Sequence, residues 1–381
     1  MKTNPPSNAK PLRILTAVPI CDGHDSAIIT VNLDLVRQGL EVIYLGYHRS
    51  VSDVVRAAIQ EDVGAIGLSS YNGGHVEFFS EVLGQLRRRK APHIGLFGGG
   101  GGTITSADAR LMKQRGVDEI FFAGTPLAEI VEWVKRTYGK RKRRLAIPEW
   151  RSSRITDLEL GKLLSGIEAH PGNRRLKPQK ASGGCPVIGI TGPGGAGKTT
   201  LIDELVLRFL NRSASGRLAI LSHDPASASK GALLGDRATM IYAQDDRVFM
   251  RSLATDGESR GLSAATQSCL ALLKQAGFDL VLVESAGIGQ ESLPFQRGLV
   301  DKQILVMSPE YGGRLQLHKL AMLEAADVVV VNKSDLPAAR TANSEINQRL
   351  AMNQRGQKVI ATVAKHHRDP GVDQLFREVI S

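Results

Sequence analysis

One turn constrains this 381-residue chain more than any other feature: Gly192-Pro-Gly-Gly-Ala-Gly-Lys-Thr, set between the apolar run 186–190 and the amphipathic stretch 200–210. G-x-x-x-x-G-K-T between a strand and a helix is a phosphate cradle. Gly192, Gly194, Gly195 and Gly197 let successive N–H groups point at phosphate oxygens, and the helix N-terminus adds a favourable dipole. Lys198 should reach the β- and γ-phosphates, the Thr199 hydroxyl should bind Mg2+, and Thr200 joins the same set at the helix start.

Three later stretches fit the same site. The apolar run 279–283 leads into Glu284-Ser-Ala-Gly-Ile-Gly-Gln290, the place for a γ-phosphate sensor. The run 328–331 ends in Asn332-Lys333-Ser334-Asp335. Such an Asp reads guanine, because its carboxylate accepts from both N1–H and the exocyclic amino group, donors that adenine does not offer together. Ala364, after a last apolar run, stands where a backbone N–H can meet the guanine O6. The nucleotide expected is GTP or GDP, with Lys198, Glu284 and Gln290 among the catalytic candidates.

The N-terminal part alternates short apolar runs with helical patterns. Strands are expected at 13–18, 41–45, 65–69, 93–97 and 119–122, and helices at 26–38, 52–61, 74–89, 106–115 and 126–138. Five strand–helix units make a doubly wound parallel sheet, in the flavodoxin-like order 2-1-3-4-5. Ligands of such sheets lie beyond the carboxyl ends of the strands. The loop after the first strand reads Cys21-Asp22-Gly23-His24-Asp25-Ser26, and Asp22 can accept one ring N–H of His24 and leave the other nitrogen to a metal. The same wording also suits an ordinary polar turn. The loops after strands 3 and 4 carry Ser69-Ser70-Tyr71 and five glycines, 98–102, which let backbone approach a flat ligand closely. His75 heads a helix and reads as structural or as support for the loop.

Together these loops resemble the cobalamin-binding domain of adenosylcobalamin-dependent acyl-CoA mutases, whose pattern is D-x-H-x-x-G, S-x-L and G-G. The resemblance implies that His24 ligates cobalt from below, that Asp22 is its hydrogen-bond partner, and that Ser69, Ser70, Gly98 and Gly99 line the slot for the cofactor's nucleotide tail. Ala27 stands where the family has glycine, and Tyr71 where it has leucine. Further on, Asp224-Pro225 and Gly231-Ala-Leu-Leu-Gly-Asp236-Arg237 resemble the switch of the metallochaperone GTPases that service these mutases, as do the stretches 249–255 and 309–319. The resemblance implies that Asp224, Asp236 and Glu284 hold or orient Mg2+ with Thr199, that Asp236 joins the catalytic set, and that Arg237 and Gln290 belong to mobile switches. The stretch from Asp224 to Asp236 is one residue shorter than the family's and has Ser-Ala-Ser-Lys at 227–230. Read without the family, both aspartates could be helix caps or turn residues.

The formal charge of +11 is concentrated. Between Lys135 and Lys180 lie 14 basic and four acidic side chains, including Lys-Arg-Lys-Arg-Arg at 140–144. With prolines at 148, 171 and 178, this reads as an interdomain connector. Inside it, Thr156 and Glu159 form a capping box for a short helix with Leu160, Leu163, Leu164 and Ile167 on one face. Only Tyr138 and Trp150 interleave the charges, too few for a single-strand groove, so no nucleic-acid partner is expected. No apolar stretch approaches a membrane span, and the three cysteines are odd in number and far apart, which points to a reducing cytoplasm. The expected organisation is a flexible tail (1–12), a flavodoxin-like cobalamin-binding domain (13–139), a basic linker (140–183) and a P-loop GTPase domain (184–381).

The order of parts is similar to the front of the fused isobutyryl-CoA mutases, which continue into a substrate-binding barrel. The resemblance implies adenosylcobalamin, GTP or GDP and Mg2+ as cofactors, and hydrolysis of GTP to GDP and phosphate in the service of cofactor loading or repair. It implies a separate barrel subunit as partner, an adenosyltransferase as cofactor donor, and a homodimer through the G domain. A cobalamin carrier with a structural, idle G domain is the competing expectation.

Overall fold

The computed structural model describes residues 11–20, 22–139, 155–170, 185–226, 231–258, 260–287, 293–309, 321–353 and 355–381. Cys21, the basic runs of the connector, residues 227–230, Gly289, Gln290 and the stretch 310–319 lie outside the described residues. The chain divides into two compact units, one of residues 1–178 with 227–238, the other of 179–226 with 239–381.

The first unit runs β1 (Arg13–Ala17), α1 (Ser26–Arg37), β2 (Glu41–Tyr44), α2 (Val51–Gln60), β3 (Ala65–Ser69), α3 (His75–Arg88), β4 (Gly95–Gly99), α4 (Ser106–Arg115), β5 (Glu119–Phe121), α5 (Leu127–Gly139) and α6 (Asp157–Ala169). The strand order is β5-β4-β3-β1-β2, the expected winding, and every pairing is parallel. Helices cover both faces, which is why β1 and β3 are buried end to end rather than alternating. One face packs Ile14, Val42 and Phe97 against Leu35 of α1 and Val131 and Val134 of α5. The other meets α2 and α3. The register aligns Ala17 with Leu68 and Ser69 with Gly99, so the loops after β1, β3 and β4 open on one edge.

The connector helix α6 forms where its capping box placed it. The Thr156 hydroxyl accepts from the Glu159 N–H, and the Glu159 carboxylate accepts from the Thr156 N–H at 2.9 Å. Its Leu160, Leu163, Leu164 and Ile167 are buried.

The sheet has a sixth strand that the sequence pattern did not announce. β7 (Leu218–Asp224) belongs to the second unit, but the segment after it forms β8 (Ala232–Leu234) and the single turn α8 (Asp236–Thr239), and β8 pairs parallel with β2 at the first sheet's edge. Beneath it lies a charged cluster. Arg13 donates to Glu41 at 2.7 Å, to Glu61 at 3.1 Å and to Glu168 at 3.1 Å, and Arg237 donates to Glu61 at 2.7 Å. All five side chains are buried. Burial works against the Arg13 charge, but the three carboxylates outweigh it and keep the guanidinium protonated.

The second unit continues from β6 (Val187–Thr191), α7 (Lys198–Arg212) and β7 to β9 (Val248–Ala254), α9 (Thr266–Leu273), β10 (Leu280–Glu284), β11 (Lys302–Met307), α10 (Ala321–Ala325), β12 (Val328–Val331), α11 (Ala339–Asn353), β13 (Lys358–Ala361) and α12 (Pro370–Ile380). Its seven parallel strands lie in the order β13-β12-β11-β6-β10-β7-β9. Ile188, Ile190, Leu201, Leu205, Leu282 and Val306 are part of its core. β6 is central, so the phosphate turn leaves the middle of the sheet, with Asp224 and Glu284 ending the two strands on one side of it.

Removing one partner of a buried ion cluster leaves uncompensated charge without water. Arg13→Met, which leaves three carboxylates to Arg237 alone, should cost about 3–5 kcal/mol, read from the denaturation midpoint of the full chain.

Candidate cofactor and nucleotide sites

In the first unit Asp22 is 1% exposed and serves as a hub. One oxygen accepts from the His24 N–H at 3.0 Å and meets His24 Nδ1 at 2.9 Å, while the other accepts from the amides of Tyr71 and, at 3.3 Å, Asn72. Burial pushes its pKa up, but the amides of Tyr71 and His24, the His24 ring and the Asn72 amide together hold it below the ordinary carboxylate range. A permanent carboxylate accepts a hydrogen bond from Nδ1–H, which leaves Nε2 with its lone pair. The His24 ring is 68% exposed and lies 5.6 Å from the Tyr71 ring. The Tyr44 hydroxyl donates to Asp25 at 3.0 Å and steadies the start of α1 next to His24.

A cavity of about 310 Å³ opens beside this loop. Its walls are Ala27, Ile28, Thr30 and Val31 of α1, Ser69 at the end of β3 with Tyr71 beyond it, Gly98 and Gly99 of β4, and Phe121 at the end of β5 with Phe122 beyond it. Ser69 lines it as expected. Ser70 is buried and its hydroxyl turns to the Asn72 carbonyl at 3.3 Å, so it supports the loop. A Cβ on Gly98 would lie 2.5 Å from the Leu68 carbonyl and from the Phe79 ring. That glycine is therefore required by packing on the far face as well as by room in the slot. Ala27 adds a methyl to the wall where the family pattern has none. His75 is buried, within 3.4 Å of the Asn72 carbonyl and of Asp108, which assigns it to the loop and the start of α4 rather than to the cavity. A nitrogen donor fixed by a buried carboxylate, beside a mostly apolar cavity, fits the expected cobalamin.

In the second unit the phosphate turn forms between β6 and α7. Lys198 Nζ donates to the carbonyls of Gly192 at 3.1 Å and Pro193 at 3.3 Å, curled over the loop whose phosphates it would neutralise. The Thr199 hydroxyl donates to Glu284 at 2.9 Å, bringing together two of the four groups expected around Mg2+. Asp224 ends β7 in this unit. Asp236 opens α8 in the first unit with β8, and Gln290 is outside the described residues.

The guanine loops are tied to the turn by Asn332. Its Nδ2 donates to the Ala196 carbonyl at 3.0 Å, and its Oδ1 accepts from the Thr362 hydroxyl at 3.1 Å and from the Ala364 N–H at 3.0 Å. A Cβ on Gly197 would lie 2.4 Å from that Nδ2, so the turn and Asn332 meet only because residue 197 is glycine. The N–H expected on guanine O6 is thus spent on Asn332, and a base must share or replace that bond. Lys333 adopts a left-handed backbone with φ 57°, and Asp335 pairs with Lys365 at 2.5 Å. The Lys365 hydrogen bond holds Asp335 below its usual pKa, so it remains an acceptor.

Sequence reasoning missed two supports. His223, buried on β7, places Nδ1 2.7 Å from the Glu284 carbonyl and Nε2 2.8 Å from the Thr266 hydroxyl. Arg237 reaches Glu61 across 176 positions. A polar residue at the end of an otherwise apolar strand was the one available sign of the first, and nothing local marked the second. No helix among the described residues is long and apolar enough to cross a membrane.

Comparison with known proteins gives two family matches along the chain. Residues 12–131 match the B12 binding domain, and residues 169–381 match methylmalonyl Co-A mutase-associated GTPase MeaB. Fused isobutyryl-CoA mutases are similar over nearly the whole chain. The protein of Cupriavidus metallidurans is 38% identical over 98% of this chain and 36% of its own length. That of Geobacillus kaustophilus is 36% identical over 96% of this chain and 36% of its own. That of Nocardia farcinica is 37% identical over 98% and 36%. The chain thus spans about a third of the length of these relatives. With its phosphate turn, its Asn332 junction and a B12-binding domain ahead of them, the chain belongs to the MeaB family of methylmalonyl-CoA mutase-associated GTPases.

Proposed function

We propose that this chain is a GTP-hydrolysing chaperone joined to the adenosylcobalamin-binding part of an acyl-CoA mutase, and that GTP binding and hydrolysis gate cofactor loading and repair. The observation that carries the reading is the presence, on one polypeptide, of the Asp22–His24 pair beside a ligand slot and of a phosphate turn bonded through Asn332 to guanine loops. The names of the fused isobutyryl-CoA mutases support a branched acyl-CoA as the substrate of the assembled mutase. The acyl-CoA-binding barrel is the proposed catalytic partner. An adenosyltransferase as cofactor donor and self-association through the G domain belong to the same proposal and rest on family resemblance alone. The three cysteines, odd in number and far apart in the sequence, support a reducing compartment, the cytoplasm.

His24 Nε2 would hold cobalt while Asp22 keeps the ring oriented and Nδ1 protonated, and the slot lined by Ser69, Gly98 and Gly99 would take the nucleotide tail. Bound adenosylcobalamin supplies a weak cobalt–carbon bond as the radical source for a 1,2-rearrangement. The chain's own part would be to position that cofactor through His24 and the slot beside it. In the second unit Lys198 and the turn amides would take the phosphates, and Thr199, Glu284 and Asp224 would hold Mg2+. Gln290 would act on the γ-phosphate side, and Asn332, Lys333, Asp335 and Ala364 would read guanine.

Three outcomes test the reading. Cobalamin bound to the wild-type chain should show the absorption spectrum of histidine ligation, and His24→Ala should lose it; an unchanged spectrum sinks the ligand assignment. Asp22→Asn should lower cobalamin affinity about 10–100-fold, because the ring loses its carboxylate. Phosphate release from Mg·GTP by the full chain should fall about 100-fold or more in Lys198→Ala, which removes the cation on the transferred group. Release no faster than background in the wild type, with GTP bound, would favour a carrier with an idle G domain.

A further inference from the structure

We infer that His367 is a positioning residue for the guanine base: through Glu204 it fastens the loop that carries Ala364 to the helix that the phosphate turn opens. The inference rests on the reading that the second unit binds GTP. It adds what keeps the base-reading N–H at a fixed place relative to the phosphates.

The loop runs from Thr362, after β13, to Asp369, whose side chain caps α12. Its first half is tied to the phosphate turn by Asn332, which accepts from the Ala364 N–H and donates to the Ala196 carbonyl. The second half is poor in packing, with Lys365, His366, His367 and Arg368 all exposed. Its tie to α7 is polar. The His367 ring is 61% exposed, yet Nδ1 lies 2.6 Å from a Glu204 oxygen, and that carboxylate is only 3% exposed. An ionised carboxylate can only accept, so Nδ1 carries the proton. Glu204 stands on α7 within two turns of Lys198.

Glu204 is itself fixed. Its second oxygen pairs with Arg208, and Arg208 Nε donates to Asp373 of α12 at 3.0 Å. That cation offsets the burial of the carboxylate and leaves the first oxygen to His367. The preceding residue, Asp203, accepts from the amides of Ile241, Tyr242 and Ala243 at 2.8, 2.9 and 3.2 Å, and the Tyr242 ring meets the His367 ring edge-on at 6.1 Å. The imidazole thus has a hydrogen bond to set its direction and an aromatic edge beside it. Both halves of the loop refer to one piece, the phosphate turn and the helix it opens. Guanine O6 needs an N–H held where the carbonyl falls, and a hydrogen bond weakens steeply with misalignment. Releasing the second half frees Ala364 to drift, while Asp335 keeps the place that β12 gives it.

The test titrates GDP and IDP, which lacks the exocyclic amino group, into the full chain and into two variants by calorimetry. His367→Ala removes the anchor. His367→Asn keeps a short amide donor for Glu204 in place of Nδ1. His367→Ala should lose about tenfold in GDP affinity, the order expected for one poorly aligned hydrogen bond at a buried donor. IDP should weaken by the same factor, because the amino group is read by Asp335 and not by Ala364. His367→Asn should recover most of the loss, which a merely structural role for the imidazole would not allow. Wild-type GDP affinity in His367→Ala overturns the inference and leaves the GTP reading intact. So does a loss that His367→Asn fails to restore, with or without a lowered denaturation midpoint, and so does a changed ratio of GDP to IDP affinity, which would place the effect at Asp335. Binding of neither nucleotide to the wild-type chain overturns the GTP reading itself, and the inference with it.

Discussion

A parallel sheet covered by helices on both faces leaves one edge for chemistry. Its side chains are spent on packing and its backbone on pairing, so ligands can be met only by loops beyond the carboxyl ends of the strands. Both units obey this constraint. In the first, β1, β3 and β4 end at the Asp22–His24 loop, Ser69 and Gly99. In the second, β6, β7, β10 and β12 end at the phosphate turn, Asp224, Glu284 and Asn332. The two sites differ in chemistry because these loops differ, while the scaffolds share one logic.

The first unit shows two ways of keeping a charge out of water. Asp22 is satisfied mostly by backbone amides, donors that cost no further burial of charge, and what remains of its capacity orients His24. The Arg13 cluster instead pairs side chain with side chain, drawing members from β1, β2, α2, α6 and the segment after β8. An ion cluster of this kind adds little net stability over apolar packing, but it penalises the loss of any one member.

Legibility in the sequence followed the range of the interactions. The phosphate turn, the capping box of α6, the winding order of β1 to β5 and the pairing of Asp22 with His24 are local, and each stood out from residue types at fixed spacing. Neighbours on a loop cannot be told apart by residue type: Ser69 lines the cavity, while the Ser70 hydroxyl faces the Asn72 carbonyl. β8 was invisible for a different reason. Ala-Leu-Leu is too short to declare a strand, and its partner is about 190 positions earlier. The Arg237–Glu61 pair and the His223 clamp on Glu284 are likewise long-range, and nothing in the neighbouring residues marks them. The bond between Asn332 and Ala196 explains why the turn needs glycine at 197 beyond phosphate contact.

On the proposed function, cobalamin and guanine nucleotide bind the same chain and influence each other. Calorimetric titration of a non-hydrolysable Mg·GTP analogue into the full chain, once free of cobalamin and once saturated with it, tests this most directly. The account predicts one nucleotide per chain in both titrations and affinities that differ by about fivefold or more. Identical affinities in the two titrations, with cobalamin bound throughout the second, would contradict it.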